Sequence, residues 1–426
     1  VSEQAGSAAQ VGLLGLTFGV NGALYGTLLP RYAEIADRLD ASDTAFGLAL
    51  LGAGIGGAVG ASLVTQVNRR SGGPRRVVVA LAPVMAVGAA AAGVAPSLLL
   101  FALALGGLAL ADGMVDPSMN AVVVAEQRRT GRQFMGRMHA TWSAATLGAT
   151  GVGVVAAAVG VPVGVHVAVV SLSLALLHVV VGRALLRVPA DIVVVAPASR
   201  APGGSPSCGS SVSGSSVGDV APAASTTWST GRRLRAWGPV VVLAIAAVWV
   251  EIPPQEWSGL LLSRELSASP GLAAAGPFAA VAGVLLGRLG LDRAVARLGW
   301  RRVALVSLAI TVSAAAAGLL LGAALGTAWP VLLGLLVAGA GVGPVFPLLF
   351  ELAEAIAVRV GLQPDAGVGL VSVLSRATLV VAPVVIGVLG DATTLFVGLG
   401  TVPLAAGLLL WALRVLVPRD VATRPA

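Results

Sequence analysis

Hydrophobic runs long enough to cross a bilayer recur along this chain, separated by short breaks rich in arginine, glycine or proline. They fall at about 11–30, 44–67, 77–95, 98–124, 138–160 and 162–182, then after a long polar interval at about 238–257, 271–290, 303–325, 330–350, 367–390 and 394–416. A spanning helix needs about 20 mostly apolar residues, because the hydrocarbon is about 30 Å thick and each helical residue rises about 1.5 Å. The pattern therefore predicts an all-α integral membrane protein with twelve transmembrane helices in two six-helix halves.

The interval between the halves changes character abruptly. Its centre, PASRAPGGSPSCGSSVSGSSVG, buries too little apolar surface to fold and is expected to be a flexible cytoplasmic linker. The expected organisation is an N-terminal half over 1–187, a linker over 188–236 and a C-terminal half over 237–426. Similar halves around a polar linker are what a transporter built from structural repeats presents. Before Val11 there is neither a basic cluster nor a cleavage site, so the first run is read as a retained helix rather than a signal peptide.

Composition agrees. Hydrophobic residues make up 57% of the 426 residues, charged residues 11%, and mean hydropathy is +0.93, too little charge for a soluble polar surface. All 27 basic residues are arginine. They lie between hydrophobic runs rather than on one aromatic-studded domain, which argues for topology and against nucleic-acid binding. One set of loops carries Arg69, Arg70, Arg75 and Arg76, then Arg128, Arg129, Arg132 and Arg137, then Arg293, Arg297, Arg301 and Arg302. The opposite set holds Arg31, Arg38 and Arg264. Both termini are thus expected in the cytoplasm of a bacterium, the chain lying multi-pass in the plasma (inner) membrane.

Several chemistries are excluded. The single cysteine, Cys208, permits neither a disulfide framework nor a cysteine metal site. No HExxH occurs, and a GxxxxGK[ST] loop is impossible without lysine. No cofactor or metal is expected, and a membrane enzyme acting on lipid has no constellation to work with. A non-transporting sensor stays open as a second class.

Charge inside a membrane costs on the order of 2.5–3.5 kcal/mol at a helix centre, so an intramembrane carboxylate marks function by default. The predicted fourth helix has two, Asp112 and Asp116, with Asn120 four residues further on. These share a stripe that advances about 40° per step. Carboxylates about 6 Å apart in a poorly solvated place disfavour joint ionisation, so one can hold and exchange a proton. This outlines a proton-coupling site; the alternative is a structural pair neutralised by an arginine of the other half. Arg376 on the eleventh helix lies at similar depth and is the obvious partner, as a permanent bridge, a gate or an anchor for an anionic solute. Glu251 on the seventh helix precedes Pro253 and Pro254 and is read as facing a cavity, with Trp257 as an interfacial anchor. Asn21 and Tyr25, one turn apart on the first helix, suit either a polar solute or helix packing. Gly52, Gly56 and Gly60, and Gly339 and Gly343, suit close helix contact or reflect a glycine-rich composition. Pro117, Pro344, Pro347 and Pro383 mark candidate bends.

From Gly287 to Gly299 the chain reads GRLGLDRAVARLG and continues WRRV, which resembles the cytoplasmic-loop signature of the major facilitator superfamily between its eighth and ninth helices. The resemblance implies the major facilitator fold and gives Asp292, Arg293 and Arg297 a gating role; the bland alternative makes them topology charges. The first-half loop, VTQVNRRSGGPRRV, is degenerate, with Asn68 near the place of an Asp. DPSMN (116–120), MHATWSAATLG (138–148), EIPPQEW (251–257), GPVFP (343–347) and APVVIGVLGD (382–391) are similar to the fucose-permease-like bacterial branch. That likeness links the acidic residue four before an Asn, here Asp116 and Asn120, to proton coupling. His139 and Trp142 match the same pattern, His139 as a pH-sensitive gate or an interfacial residue.

The expected function is proton-coupled secondary active transport of a small organic solute by alternating access, with a drug or metabolite efflux antiporter of the same fold as the alternative. Its expected partners are the solute, protons and the lipid bilayer, with no nucleic acid, and the chain is expected to act as a monomer.

Overall fold

The computed structural model describes residues 2–187, 230–359 and 364–417, and these are helical apart from short turns. Among the described residues, twelve helices are long and apolar enough to cross a membrane: α1 Gln10–Arg38, α2 Asp43–Arg70, α3 Pro74–Val94, α4 Leu98–Thr130, α5 Met135–Ala158, α6 Val163–Arg187, α7 Trp237–Leu266, α8 Pro270–Leu289, α9 Trp300–Leu325, α10 Ala328–Arg359, α11 Val373–Ala392 and α12 Leu395–Val415. The expected linker over 188–236 lies outside the described residues as far as 229. From Thr230 onward it is helical and continuous with α7, in a helix Thr230–Leu266.

Local chemistry sets the helix ends. Ser42, Ser97 and Thr394 cap α2, α4 and α12, each side chain accepting a backbone N–H from the first turn. Pro74 and Pro270 open α3 and α8 where no N–H is needed. Gly72 and Gly73 adopt positive φ in the α2–α3 turn, and Gly131 and Gly326 end α4 and α9 in the left-handed conformation. A 3-10 turn, Leu29–Arg31, divides α1, and α10 breaks at Gly343–Pro344 into Ala328–Val342 and Val345–Arg359.

The packing repeats. Helix pairs α1–α5, α1–α6, α2–α4, α3–α4 and α3–α6 recur six helices later as α7–α11, α7–α12, α8–α10, α9–α10 and α9–α12. The halves meet through α2–α11 and α5–α8, two seams related by the same shift. Glycine enables the tightest contacts. A Cβ on Gly56 would run into the Gly106 carbonyl of α4, and one on Gly287 into the Ala340 carbonyl of α10. The glycine spacings on α2 and α10 therefore lie at backbone-to-backbone contacts.

Large apolar residues remain on the outer surface, among them Leu103, Val159, Leu176, Leu320 and Leu404, each more than 60% exposed. Lipid tails are as apolar as these side chains, so this surface fits a bilayer rather than water.

Candidate functional site

A cavity of about 850 Å³ lies between the halves, walled by α1, α3, α4 and α5 on one side and α8 and α10 on the other. Its lining reaches from Tyr25 and Asp112 in the middle of their helices to Gly136, His139 and Leu289 at helix ends, where all three are exposed. The even number of crossings puts Gln10 and Val415 on one side of the bundle, and the exposed end of the cavity lies on that side.

The N-half wall is built on Asn21, 7% exposed on α1. Its Nδ2 donates to Asp112 Oδ1 at 2.8 Å, and its Oδ1 accepts Trp142 Nε1 at 2.7 Å. One amide thus ties α1, α4 and α5 together. The approach depends on Gly22, where a Cβ would strike the Trp142 carbonyl, and Thr146 Oγ1 donates to the Gly22 carbonyl at 3.0 Å. Tyr25, one turn along, lies 5.9 Å from the Trp142 ring. Asp116 follows Asp112 by one turn and lines the same cavity; Asn120 Nδ2 donates to its Oδ1 at 3.2 Å and to its carbonyl at 3.0 Å.

The C-half wall carries a residue whose importance does not emerge from the motif reading. Arg288 of α8 donates to Glu251 Oε1 of α7 at 2.8 Å, and its Nε donates to the Gly343 carbonyl at 3.2 Å. In an unbroken helix that carbonyl would accept the N–H four residues on, but residue 347 is proline and has none. The guanidinium supplies the missing donor at the break in α10. Arg288 falls within the predicted eighth helix, so the cost of an intramembrane charge was the signal available for it. Glu251 is buried, and its Oε2 has no hydrogen-bond partner among the described residues. A side pocket of about 90 Å³ is lined by Glu251 and Gln255 together with Tyr25, Trp142, Ser143 and Arg288 of the main cavity wall or its edge.

The sequence-predicted residues thus divide. Asn21, Tyr25, Asp112, Asp116 and His139 line the main cavity, and Glu251 lines the side pocket. Asn120 supports Asp116 from behind. Arg376 does not bridge to Asp116; its Nη1 donates to the Gly57 carbonyl of α2 at 3.1 Å. His139 meets Phe18 edge-to-face at 5.6 Å. Among the described residues no group of three or more His, Cys, Asp or Glu side chains is placed to hold a metal.

The opposite end of the bundle is shut. Arg264 of α7 reaches Asp37 Oδ1 at 3.2 Å, the Ala41 carbonyl at 2.8 Å and the Asp43 carboxylate. Asp391 at the end of α11 accepts Ser42 Oγ at 2.8 Å and the backbone N–H groups of Asp43 and Thr44 at 2.9 Å, capping α2 from the other half. Beneath this polar latch, Phe46 stacks on Phe101 at 5.7 Å and meets Trp257 at 5.9 Å. Trp257 is therefore not an interfacial anchor: it is 0% exposed and plugs the seam, because its helix lies against the other half there.

A family model described as Major Facilitator Superfamily matches residues 13–363. The chain belongs to the Major Facilitator Superfamily. It is 28% identical over 380 residues to the uncharacterized transporter y4wD of Sinorhizobium fredii (strain NBRC 101917 / NGR234), covering 89% of this chain and 90% of that protein. Among solved structures it resembles the nucleoside transporter NupG, with a TM-score of 0.66 at 12% identity over 96% of this chain and 98% of that one. It also resembles a bacterial homolog of the human lysosomal transporter Spinster in an inward-facing and unoccupied conformation, with a TM-score of 0.65 at 14% identity over 96% and 97%. Such identities establish the shared fold alone.

The superfamily loop signature forms a short helix, Leu291–Leu298, between α8 and α9, with Arg293 and Arg297 exposed. The side chain of Asp292 lies outside the described residues. Nearby, Arg301 donates to the carbonyls of Leu413 and Val417 at 2.9 and 3.0 Å, joining the start of α9 to the end of α12. In the first-half loop Asn68 accepts Ser118 Oγ at 3.0 Å. The protein is a multi-pass membrane transporter by family and fold.

Proposed function

We propose that the chain is a proton-coupled secondary transporter of a small organic solute, working by alternating access. The observation that carries this reading is a cavity between two repeated halves, lined by Asp112 and Asp116, exposed at one end and latched at the other. A solute binds between the halves, and protonation of Asp116 or Asp112 biases which face is open. The energy comes from the ion gradient, and the chain carries out transport rather than a chemical conversion.

The arginine-rich loops support a plasma-membrane topology with both termini cytoplasmic, so the exposed end of the cavity faces the cytoplasm. Asp292, Arg293 and Arg297 on the short loop helix, with His139 at the cavity mouth, are the candidates for control of that end. Asn120 and Arg376 act on the carboxylates from behind the wall. The DPSMN and GPVFP stretches favour the fucose-permease-like branch, and a monomer suffices for the mechanism.

The test is reconstitution of the purified chain in vesicles with an imposed pH gradient and a panel of labelled sugars, amino acids and organic ions. Asp116→Asn is expected to abolish proton-driven accumulation while retaining counterflow. Unchanged pH-driven accumulation in that variant removes Asp116 from the coupling role.

A further inference from the structure

The solute's chemistry follows from which polar groups on the cavity wall are already satisfied. Asn21 has spent both ends of its amide on Asp112 and Trp142, and the Trp142 N–H is spent on Asn21. Arg288, the guanidinium on the wall, is bound to Glu251 and to the Gly343 carbonyl. Arg376 is turned to Gly57 on α2. What remains is dominated by acceptors. Asp112 and Asp116 each receive a neutral amide on one oxygen, and neither forms an ion pair among the described residues. Across the cavity, Glu251 keeps a buried oxygen, Oε2, with no donor, in the side pocket that shares Tyr25, Trp142 and Ser143 with the N-half. That orphaned acceptor is independent of the aspartate pair and lies on the other half.

A buried acceptor without a donor is costly, and neighbouring carboxylates without an ion-pair partner more so. An incoming group with N–H donors and positive charge relieves both. The rest of the wall fits an apolar body: Phe18, Leu24, Met85, Leu108, Phe346 and Phe350. Tyr25 and Trp142 offer π faces to a cation. A polyol needs donors and acceptors in alternation, and with the amide donors occupied the wall offers only the Tyr25 and Ser143 hydroxyls and His139 as donors beside three carboxylates. An anion would meet a guanidinium whose charge is already paired with Glu251 and, across the cavity, the Asp112 and Asp116 carboxylates. The volume, about 850 Å³, is that of a drug-sized ligand site.

We infer that the transported solute is an amphipathic organic cation: an aromatic or aliphatic body bearing a positively charged nitrogen with N–H donors. It is held by Asp112 and Asp116 on one half and by the free Glu251 oxygen on the other. This rests on the transporter reading for its cavity and extends it to substrate class. Proton and cation then compete for the same aspartates, so binding of one releases the other. Arg376, His139, Arg288, Glu251 and Tyr25 are the titratable or charged groups disposed around that pair.

The test is equilibrium binding of ethidium, followed by fluorescence polarisation, to the full chain in nanodiscs, with empty nanodiscs subtracted. Ethidium is a cation with amino donors whose own charge does not change between pH 5.5 and 8.5, so any pH dependence belongs to the protein. Saturable binding at pH 8 is expected, weaker by about tenfold at pH 5.5. Tetraphenylphosphonium should displace the dye, and tetraphenylborate, of the same shape and opposite charge, should not. The Asp112→Asn, Asp116→Asn double variant should bind about tenfold more weakly at pH 8 and lose the pH dependence. If that variant does not purify as a monodisperse peak, the wild-type pH series and the two tetraphenyl ions still decide. Absent or non-saturable ethidium binding, or displacement by tetraphenylborate as effective as by its cationic counterpart, overturns the inference. Ethidium binding with this pattern but no flux under a pH gradient instead defeats the transporter reading. Proton-driven flux of a neutral or anionic solute without ethidium binding defeats the cation assignment alone.

Discussion

Arg288 Nε lies 3.2 Å from the Gly343 carbonyl, the acceptor that Pro347 leaves without a helical donor. The same guanidinium holds Glu251 at 2.8 Å, so one side chain connects α7, α8 and the break in α10. Arg288→Met leaves a buried carboxylate and an open carbonyl at once. Breaking a buried pair costs about 3–5 kcal/mol, and the partial exposure of Arg288 puts this case near the lower end. The double variant Glu251→Gln, Arg288→Met removes the unpaired charge and should recover most of the loss. Thermal unfolding of the four forms in one detergent measures the coupling; additive effects would show that the pair does not act as a unit.

Arg264→Ala removes the contact to Asp37, Asp43 and the Ala41 carbonyl that closes the far end. A loss on the order of 1–2 kcal/mol from the closed state changes its population by roughly 5–30-fold. Ser258, fully buried in this state, is the reporter. In a Cys208→Ser background, Ser258→Cys should react with a membrane-impermeant maleimide faster when Arg264→Ala is added. Equal rates with and without Arg264 would mean that the latch does not hold the seam shut.

Trp257→Ala should destabilise the protein by about 3–5 kcal/mol, as truncation of a fully buried large aromatic does, and Trp257→Phe by distinctly less. A side chain anchored at the lipid interface would show a small effect for both. Thermal melting with the native lipid composition held constant separates these outcomes.

Gly56→Leu should prevent assembly of the N-terminal half, because even a Cβ at this position collides with the Gly106 carbonyl. Gly107, which has open space around it, should tolerate Gly107→Ala. The fraction of monodisperse protein after detergent extraction reads the contrast; equal yields would remove the α2–α4 contact from the folding argument.

Much of the architecture was legible because the bilayer imposes a length scale. Twelve apolar runs of about 20 residues need no tertiary information to be recognised. Helix ends were less legible: α4 continues to Thr130 and α10 to Arg359, since polar ends project beyond the hydrocarbon and hydropathy stops reporting them. The aspartates of α4 stood out through the cost of charge in an apolar run. Arg288 carries the same signal, but it stands second in the loop motif GRLGLDRAVARLG, whose implied gating residues are Asp292, Arg293 and Arg297.

By itself the sequence determined the twelve spans, their six-plus-six grouping and the stripe that sets Asp112, Asp116 and Asn120 on one helix face. These are consequences of local periodicity and solvent. Only the tertiary structure decided that Asn21 satisfies Asp112, that Arg288 rather than Arg376 meets a carboxylate across helices, and that Arg264 and Trp257 close the far end. Each joins residues from separate helices, and helix rotation and depth are set by packing, by glycine contacts such as Gly22 against Trp142 and Gly56 against Gly106.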